Sequence, residues 1–182
     1  GEYIPLSDVL SVFVPANFGN LVAGTEPTTL DTSFGTAGGL ICYESIYPYV
    51  AREDVEAGAE YFLMVSNDSW FDGSAALRQH LCHAVMRCVE NGRDMARAGN
   101  TGISAVISAA GTIEKKSNAD AEEVLVSDIV PTTERTLYSY IGDLIALPLA
   151  GLYAFGIFLM IRGFILKIIA KKREKETISH NV

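Results

Sequence analysis

The clearest feature of the hydropathy pattern is an uncharged apolar stretch near the end of the chain. Residues 144–161 contain eighteen residues without Asp, Glu, Lys or Arg. As a helix rising ~1.5 Å per residue, this stretch would span about 27 Å, close to the ~30 Å hydrocarbon core of a bilayer. A basic run follows at 171–175. The pattern predicts a transmembrane helix over 141–170 and a basic cytoplasmic tail over 171–182. A buried core helix of a soluble protein is the alternative.

The rest of the chain alternates between short apolar runs and segments of helical periodicity. Continuous apolar runs predict buried strands, and apolar residues three and four positions apart predict helices. Leu77, Leu81, Ala84 and Cys88 have the spacing of a helix core face. The order of elements indicates an α/β or layered α+β domain over 1–140. The predicted strands are 38–42, 61–66, 102–108 and 124–130, the predicted helices are 49–57 and 74–92, and 114–123 is predicted as a loop.

The charge of the chain is divided between an acidic body and a basic end. Residues 1–140 carry 8 Lys and Arg against 19 Asp and Glu, a net charge of −11. Residues 141–182 carry 6 against 3, a net charge of +3. An acidic body argues against proteins that bind nucleic acid by neutralising phosphates. The three cysteines, an odd number without Cys-x-x-Cys spacing, indicate neither a disulfide framework nor a zinc site, and no cofactor is expected.

Cys42 is the candidate nucleophile of this sequence. It ends the apolar run 38–42 and precedes Tyr43, Glu44 and a predicted helix. A thiol at a strand end can stand above the edge of a sheet, where backbone N–H groups of the turn can face a developing oxyanion. A buried structural cysteine is the alternative, and the spacing of the residues does not decide between the two.

Several motifs, in order along the chain, resemble one protein family. Residues 38–44, Gly-Gly-Leu-Ile-Cys-Tyr-Glu, resemble the nucleophile strand of the nitrilase (carbon-nitrogen hydrolase) superfamily, and residues 1–6 resemble the loop before it. Further motifs resemble the apolipoprotein N-acyltransferases, a membrane-bound branch of that superfamily, at 67–71, 79–80, 90–93, 97–104 and 136–138. The resemblance implies that 1–140 is the C-terminal part of a nitrilase-like αββα sandwich, and that the family's last membrane helix follows it.

The resemblance also implies acyl transfer through a thioester. In the family, a cysteine thiolate takes an acyl chain from a phospholipid donor and passes it to the N-terminal amine of diacylglyceryl-cysteine on an apolipoprotein acceptor. Cys42 corresponds to this nucleophile, and the backbone N–H of Tyr43 to a donor of the oxyanion hole. Glu2 and Glu44 correspond to acidic residues that support the site. The body would then lie on the periplasmic side of the inner membrane.

Other polar and aromatic residues near these motifs have weaker signals. Trp70 and Phe71 follow a predicted strand end, and they are candidates for lining a groove for the acyl chain. Ordinary packing under a loop is the alternative. His80, His83 and Arg87 are interpreted as a polar, partly solvated helix face opposite the core face, and no metal or base role is assigned to them.

The chain departs from the family pattern at two catalytic positions. The superfamily uses a Glu general base and a Lys together with the cysteine, and both precede the loop that residues 1–6 resemble. The lysines of residues 1–140 are Lys115 and Lys116, and neither is in a matching position. The chain is therefore predicted to be the C-terminal portion of an acyltransferase and inactive alone. A truncated gene product, a partial sequence and one half of a split protein are all consistent with this pattern, and the missing N-terminal part is a candidate partner. The alternatives are an amidase acting on a small C–N substrate and a non-catalytic remnant or partner subunit.

Overall fold

A six-stranded mixed sheet is the centre of the computed structural model, which describes residues 24, 26–27 and 29–180. The strands lie side by side in their order along the chain. The three strands β2, β3 and β4 are parallel, and the remaining strands join antiparallel at the edges. The predicted α/β class is therefore confirmed. The strands are β1 (Thr29–Thr32), β2 (Gly35–Ile41), β3 (Tyr61–Asn67), β4 (Met95–Asn100), β5 (Ala105–Ile107) and β6 (Ile113–Lys116).

Two helices connect the parallel strands. Helix α1 (Pro48–Glu56) lies between β2 and β3 along the chain, and α2 (Ala76–Asn91) lies between β3 and β4. Pro48 suits the first helical position because its missing N–H would be unpaired there in any case. Gly92 ends α2 in the left-handed conformation, with φ +63°. Residues of both helices belong to one core cluster, so both helices pack on the same face of the sheet, as crossovers of one hand require.

The hydrophobic core fills the space between this helical layer and one face of the sheet. The predicted core face of α2 is buried at Leu77, Leu81, Ala84 and Cys88. Burial of these apolar side chains against the sheet provides the main stabilisation of the packing between the helices and the sheet. The core cluster comprises Leu40, Ala51, Val55, Ala59, Phe62, Met64, Leu81, Ala84, Cys88, Met95, Ala105 and Ile107.

The opposite face of the sheet is open in the described part of the chain. Ile41 and Val65, which alternate with core residues along β2 and β3, are 60% and 53% exposed. Among the described residues other than Gly39 and its chain neighbours, no atom lies within 4 Å of the position that a Cβ at Gly39 would occupy. The described residues thus form one sheet and one helical layer, which are two of the four layers of an αββα sandwich.

Three segments differ from the elements that the sequence predicts. The alternating valines of 124–130 predict a strand, but this segment has no regular secondary structure, and Val124 and Val126 are 90% and 74% exposed. A strand needs a neighbour for its backbone hydrogen bonds, and the described sheet ends at β6. The predicted loop 114–123 begins inside β6, whereas the predicted strand 102–108 contains only the three residues of β5.

The second compact unit of the chain, Thr136–Val182, is helical where the structure describes it. One helical stretch in the described part of the chain, 137–167, is long and apolar enough to cross a membrane, with a mean hydropathy of 2.3 in its most apolar window. The assignment of 141–170 to the membrane remains a prediction. The helices of this unit are α3 (Leu137–Ile141) and α4 (Ala146–His180).

Candidate active site

Cys42 follows β2 directly and is the first residue of a 3-10 turn, Cys42–Ile46. Its φ is +51°, in the left-handed region that costs an L residue about 1–2 kcal/mol. The residue is partly exposed and does not belong to the core cluster. A partly exposed thiol on a strained turn, at the carboxyl end of a parallel strand, is placed where a substrate can reach it.

Two residues of the turn hold the backbone on either side of Cys42. The carboxylate Oε2 of Glu44 accepts a hydrogen bond from the backbone N–H of Ile41 at 2.7 Å. The hydroxyl of Ser45, which is fully buried, donates to the carbonyl oxygen of Cys42 at 3.0 Å. Glu44 thus contacts the backbone of the turn that carries the candidate nucleophile, and its supporting role stays a prediction.

A buried polar network lies against the carbonyl group of Cys42. His80, on α2, is 2% exposed, and its Nε2 lies 3.1 Å from both the Cys42 carbonyl oxygen and the Ser45 hydroxyl. Its Nδ1 lies 3.0 Å from Oδ1 of Asp68. Oδ2 of Asp68 accepts a 2.6 Å hydrogen bond from Nη2 of Arg97, on β4. One continuous series of polar contacts therefore links the ends of β2 and β3 to α2 and β4.

The carboxylate of Asp68 is the electrostatic centre of this network. Burial by itself would raise its pKa, but hydrogen bonds from His80 and Ser66 and the charge of Arg97 hold the pKa of Asp68 below its ordinary value. The Ser66 hydroxyl donates to Oδ1 at 2.5 Å, and Nε of Arg97 is itself fixed on the carbonyl oxygen of Ile103 at 3.0 Å. A buried carboxylate with this many donors is kept ionised and immobile.

The burial of two residues of α2 corrects the interpretation of this helix face. His83 is exposed, but His80 and Arg87 are only 2% and 4% exposed. Each is three residues from a core residue, Leu77 or Ala84, and such residues are neighbours on a helix surface. The two side chains therefore lie along one edge of the core face rather than opposite it. The same spacing from Leu81 leaves Arg78 exposed, so the spacing by itself does not identify the buried residues.

The aromatic candidates are divided between the site and the surface. The ring of Tyr43 lies 6.2 Å from the ring of His80, and the edge-on ring of Phe71 lies 5.6 Å from it. Trp70, in contrast, is 86% exposed. Glu2 lies outside the described residues. The structure therefore brings Tyr43 and Phe71 together around the network and leaves Trp70 facing outward.

The described residues offer no cluster of three His, Cys, Asp or Glu side chains that is placed to hold a metal ion. The chemistry available at the Cys42 turn is that of a thiol, backbone N–H groups and a buried charged network. This set is suited to nucleophilic attack on an acyl group, with formation of a thioester.

Comparison with known proteins identifies a matching family and several relatives that are longer than this chain. The model of the carbon-nitrogen hydrolase family matches residues 2–138. The apolipoprotein N-acyltransferase of Geobacter metallireducens is 34% identical over 148 residues, which are 80% of this chain and 28% of that protein. The apolipoprotein N-acyltransferase of Haemophilus influenzae is 32% identical over 179 residues, which are 94% of this chain and 33% of that protein. The chain thus spans about a third of the length of these relatives.

Among solved structures, the carbon-nitrogen hydrolase from Helicobacter pylori G27 is similar to this chain. The TM-score is 0.49 at 21% sequence identity, and the similarity covers 56% of this chain and 42% of that one.

Proposed function

The chain belongs to the carbon-nitrogen hydrolase family, and we propose that it is the C-terminal portion of an apolipoprotein N-acyltransferase with Cys42 as the nucleophile. The observation that carries this proposal is the position of Cys42, partly exposed and left-handed at the carboxyl end of β2. The names of these relatives supply the acceptor class, and the resemblance of the motifs supplies the class of acyl donor. Phospholipid is the acyl donor, and the N-terminal amine of an apolipoprotein is the acceptor.

The proposed reaction has two steps. In the first, the thiolate of Cys42 attacks the ester carbonyl of a phospholipid, a C–S bond forms, and the ester C–O bond breaks. The general base, which took the proton of the thiol, gives it to the leaving oxygen, so a lysophospholipid with a free hydroxyl departs. In the second, the amine of diacylglyceryl-cysteine attacks the thioester, a C–N bond forms, and the C–S bond breaks. The amine loses one proton, and the thiol is restored.

The residues around the turn take supporting roles in this proposal. The backbone N–H of Tyr43 donates to the oxyanion of each tetrahedral intermediate. Glu44 holds the turn through its contact with the Ile41 backbone. Glu2 is assigned, like Glu44, to the acidic residues that support the site. Phe71 packs at the protein end of the acyl groove, and Trp70, which is highly exposed, contacts lipid at the membrane interface.

The general base and the lysine of the reaction are assigned to a part of the enzyme other than residues 29–180. Lys115 and Lys116 lie on β6, four strands from β2, and adjacent strands are about 4.8 Å apart. Both residues are exposed, and Lys115 donates a hydrogen bond to the Val126 carbonyl oxygen. Neither lysine is placed to act at Cys42, so the complete enzyme is needed for turnover.

The membrane assignment follows from the helical stretch 137–167 and the charge around it. The apolar stretch spans the bilayer, and the basic residues 171–175 remain on the cytoplasmic side. The acidic body before Thr136 then lies on the extracytoplasmic side, next to the outer surface of the inner membrane.

Mass spectrometry of the acyl-enzyme tests the proposed nucleophile. The full-length protein containing this chain is incubated in detergent with phosphatidylethanolamine of one defined acyl chain. We expect the mass of that acyl group on the peptide containing Cys42, and its removal by hydroxylamine. The matched control is Cys82→Ala, since Cys82 is exposed on α2 and should not affect acylation. Acyl transfer that persists in Cys42→Ala, or an adduct confined to Cys82, would refute the assignment.

A further inference from the structure

We propose that His80 is a positioning residue for the nucleophile, because its imidazole holds the carbonyl group of Cys42 and thereby fixes the turn that carries the thiol. This inference rests on the proposed role of Cys42. His80 acts through the Cys42 backbone and is not assigned contact with the substrate. It is distinct from the Glu base and the Lys that the family resemblance implies, since His80 is on α2 and lies within the described domain.

Both ring nitrogens of His80 have hydrogen-bond partners. The Cys42 carbonyl oxygen can only accept, so Nε2, 3.1 Å away, must carry a hydrogen atom. Nδ1, on the other side of the ring, lies 3.0 Å from Oδ1 of Asp68. The imidazole therefore bridges the Asp68 carboxylate and the Cys42 carbonyl oxygen. Arg97, whose Nη2 is 3.3 Å from Nδ1, directs its strong hydrogen bond to Asp68 instead.

Asp68, at the end of the network away from Cys42, cannot shift easily, and this makes His80 a rigid support. Asp68 is 1% exposed and is held from one side by Arg97 and from another by Ser66. The chain at Gly102 packs directly against it, since a Cβ at Gly102 would be 2.1 Å from the Asp68 Oδ2 atom. A ring anchored to such a carboxylate transmits its position to the Cys42 carbonyl oxygen.

At the other end of the network, the backbone of Cys42 needs support. Cys42 has a backbone conformation that its residue type disfavours, and surrounding contacts must maintain such a conformation. The Ser45 hydroxyl is the second donor to the same carbonyl oxygen, and it belongs to the turn itself. His80 is the donor that comes from a different element. It therefore couples the turn to the body of the domain, as supporting residues do at precise reaction centres.

Two substitutions of His80 separate positioning from simple packing. The side-chain amide of Gln reaches near the position of Nε2 and can donate to the Cys42 carbonyl oxygen, whereas the shorter Asn places its amide near Nδ1. We expect His80→Gln to retain most of the rate of acyl-enzyme formation. His80→Asn should lower kcat for that step on the order of 10²-fold with little change in KM, as expected when a reacting group is misplaced by about 1 Å.

The measurement is the single-turnover rate of acylation of Cys42 in the full-length protein, with phosphatidylethanolamine as donor, together with the melting temperature of each variant. His83→Gln is the matched control, since His83 is exposed on the same helix, and it should behave like the wild type. Equal losses in His80→Gln and His80→Asn that follow their melting temperatures would overturn the positioning role. So would an unchanged rate in His80→Asn. A wild-type protein without an adduct on Cys42 would instead reject the nucleophile, and with it both proposals.

Discussion

At the residue scale, the buried carboxylates of this domain differ in their partners. Asp68 has three, whereas Oδ2 of Asp54 is buried without a hydrogen-bond partner among the described residues. Asp54, on α1, lies against β2, where a Cβ at Gly38 would be 3.0 Å from its Oδ2 atom. Burial, followed by the negative charges of Glu44 and Glu53, raises the pKa of Asp54 to about 7. A neutral carboxyl group is therefore the stable form of Asp54 in mildly acidic solution.

The raised pKa of Asp54 predicts that stability falls as pH increases. The folded state holds the proton more tightly than the unfolded state, whose ordinary pKa is 3.8. The contribution of Asp54 is therefore fully present below about pH 4 and is lost between pH 4 and pH 7, with a limit of about 4 kcal/mol. We expect Asp54→Asn to remove this dependence and to be more stable than the wild type at pH 8, as measured by urea unfolding in detergent micelles.

A second carboxylate provides the control for this measurement. Asp72 is exposed in a left-handed position that Asn also tolerates, so Asp72→Asn should keep the pH dependence of the wild type. An equal slope of stability against pH in the wild type and in Asp54→Asn would contradict the prediction.

Single residues of the candidate site differ in how far the sequence identifies them. Cys42 is identifiable because a strand end and a family motif coincide there, although its chemical role remains a prediction. The contacts among His80, Asp68 and Arg97 are not identifiable, since these residues are far apart in the chain and meet only when α2 packs on the sheet. Their burial is a property of the tertiary contacts. The local pattern of polar residues suggested solvent exposure at His80.

At the element scale, the sequence predicts helices better than strands. The predicted helices 49–57 and 74–92 agree with α1 and α2 to within two residues at each end, because apolar periodicity and the terminal Pro and Gly act locally. Strand β4 was not predicted, since its sequence, Met-Ala-Arg-Ala-Gly-Asn, has a charged residue at a buried position. Pairing with neighbouring strands stabilises β4 despite its unfavourable sequence, and this pairing depends on residues elsewhere in the chain.

Arg93 joins three elements at the end of α2. It is 2% exposed, and its Nε donates to the carbonyl oxygen of Ala59, just before β3, at 2.8 Å. Its Nη1 donates to the carbonyl oxygens of Asn91 and Gly92, at 3.2 and 3.1 Å, and to that of Glu134, shortly before α3. Few side chains other than the forked guanidinium group supply donors in so many directions.

Substitution of Arg93 should therefore loosen the junction between these elements. Arg93→Met keeps much of the apolar stem but removes every donor, and we expect it to lower the free energy of unfolding by about 2–4 kcal/mol. Arg93→Lys keeps the charge but not the fork, so a smaller loss of about 1–2 kcal/mol is expected. Urea unfolding is the measurement, and Arg78→Met, at an exposed position of α2, is the control. A lysine variant as stable as the wild type would show that charge alone is sufficient.

At the scale of the whole molecule, an acidic body and an apolar helical segment suggest different surroundings. Residues 1–140 have a net charge of −11, whereas the stretch 137–167 exposes large apolar side chains along its length. Exposed apolar surface on this scale is expected where lipid, rather than water, is the solvent. The hydropathy and charge of the sequence predict this division, because both are sums over many residues and do not depend on tertiary contacts.

The proposed membrane orientation can be measured with cysteine labelling in intact bacterial spheroplasts. In a Cys42→Ala background, the exposed Cys82 should react with a membrane-impermeant maleimide without lysis, because the proposed orientation has the acidic body outside. A cysteine introduced by Glu176→Cys, after the basic run, should react only after lysis, because Lys and Arg are retained on the cytoplasmic side. The two sites report on opposite sides of the same helix, so each controls for leakage at the other. Labelling of both sites in intact spheroplasts would mean that 137–167 does not cross the bilayer. Protection of Cys82 alone would indicate the opposite orientation.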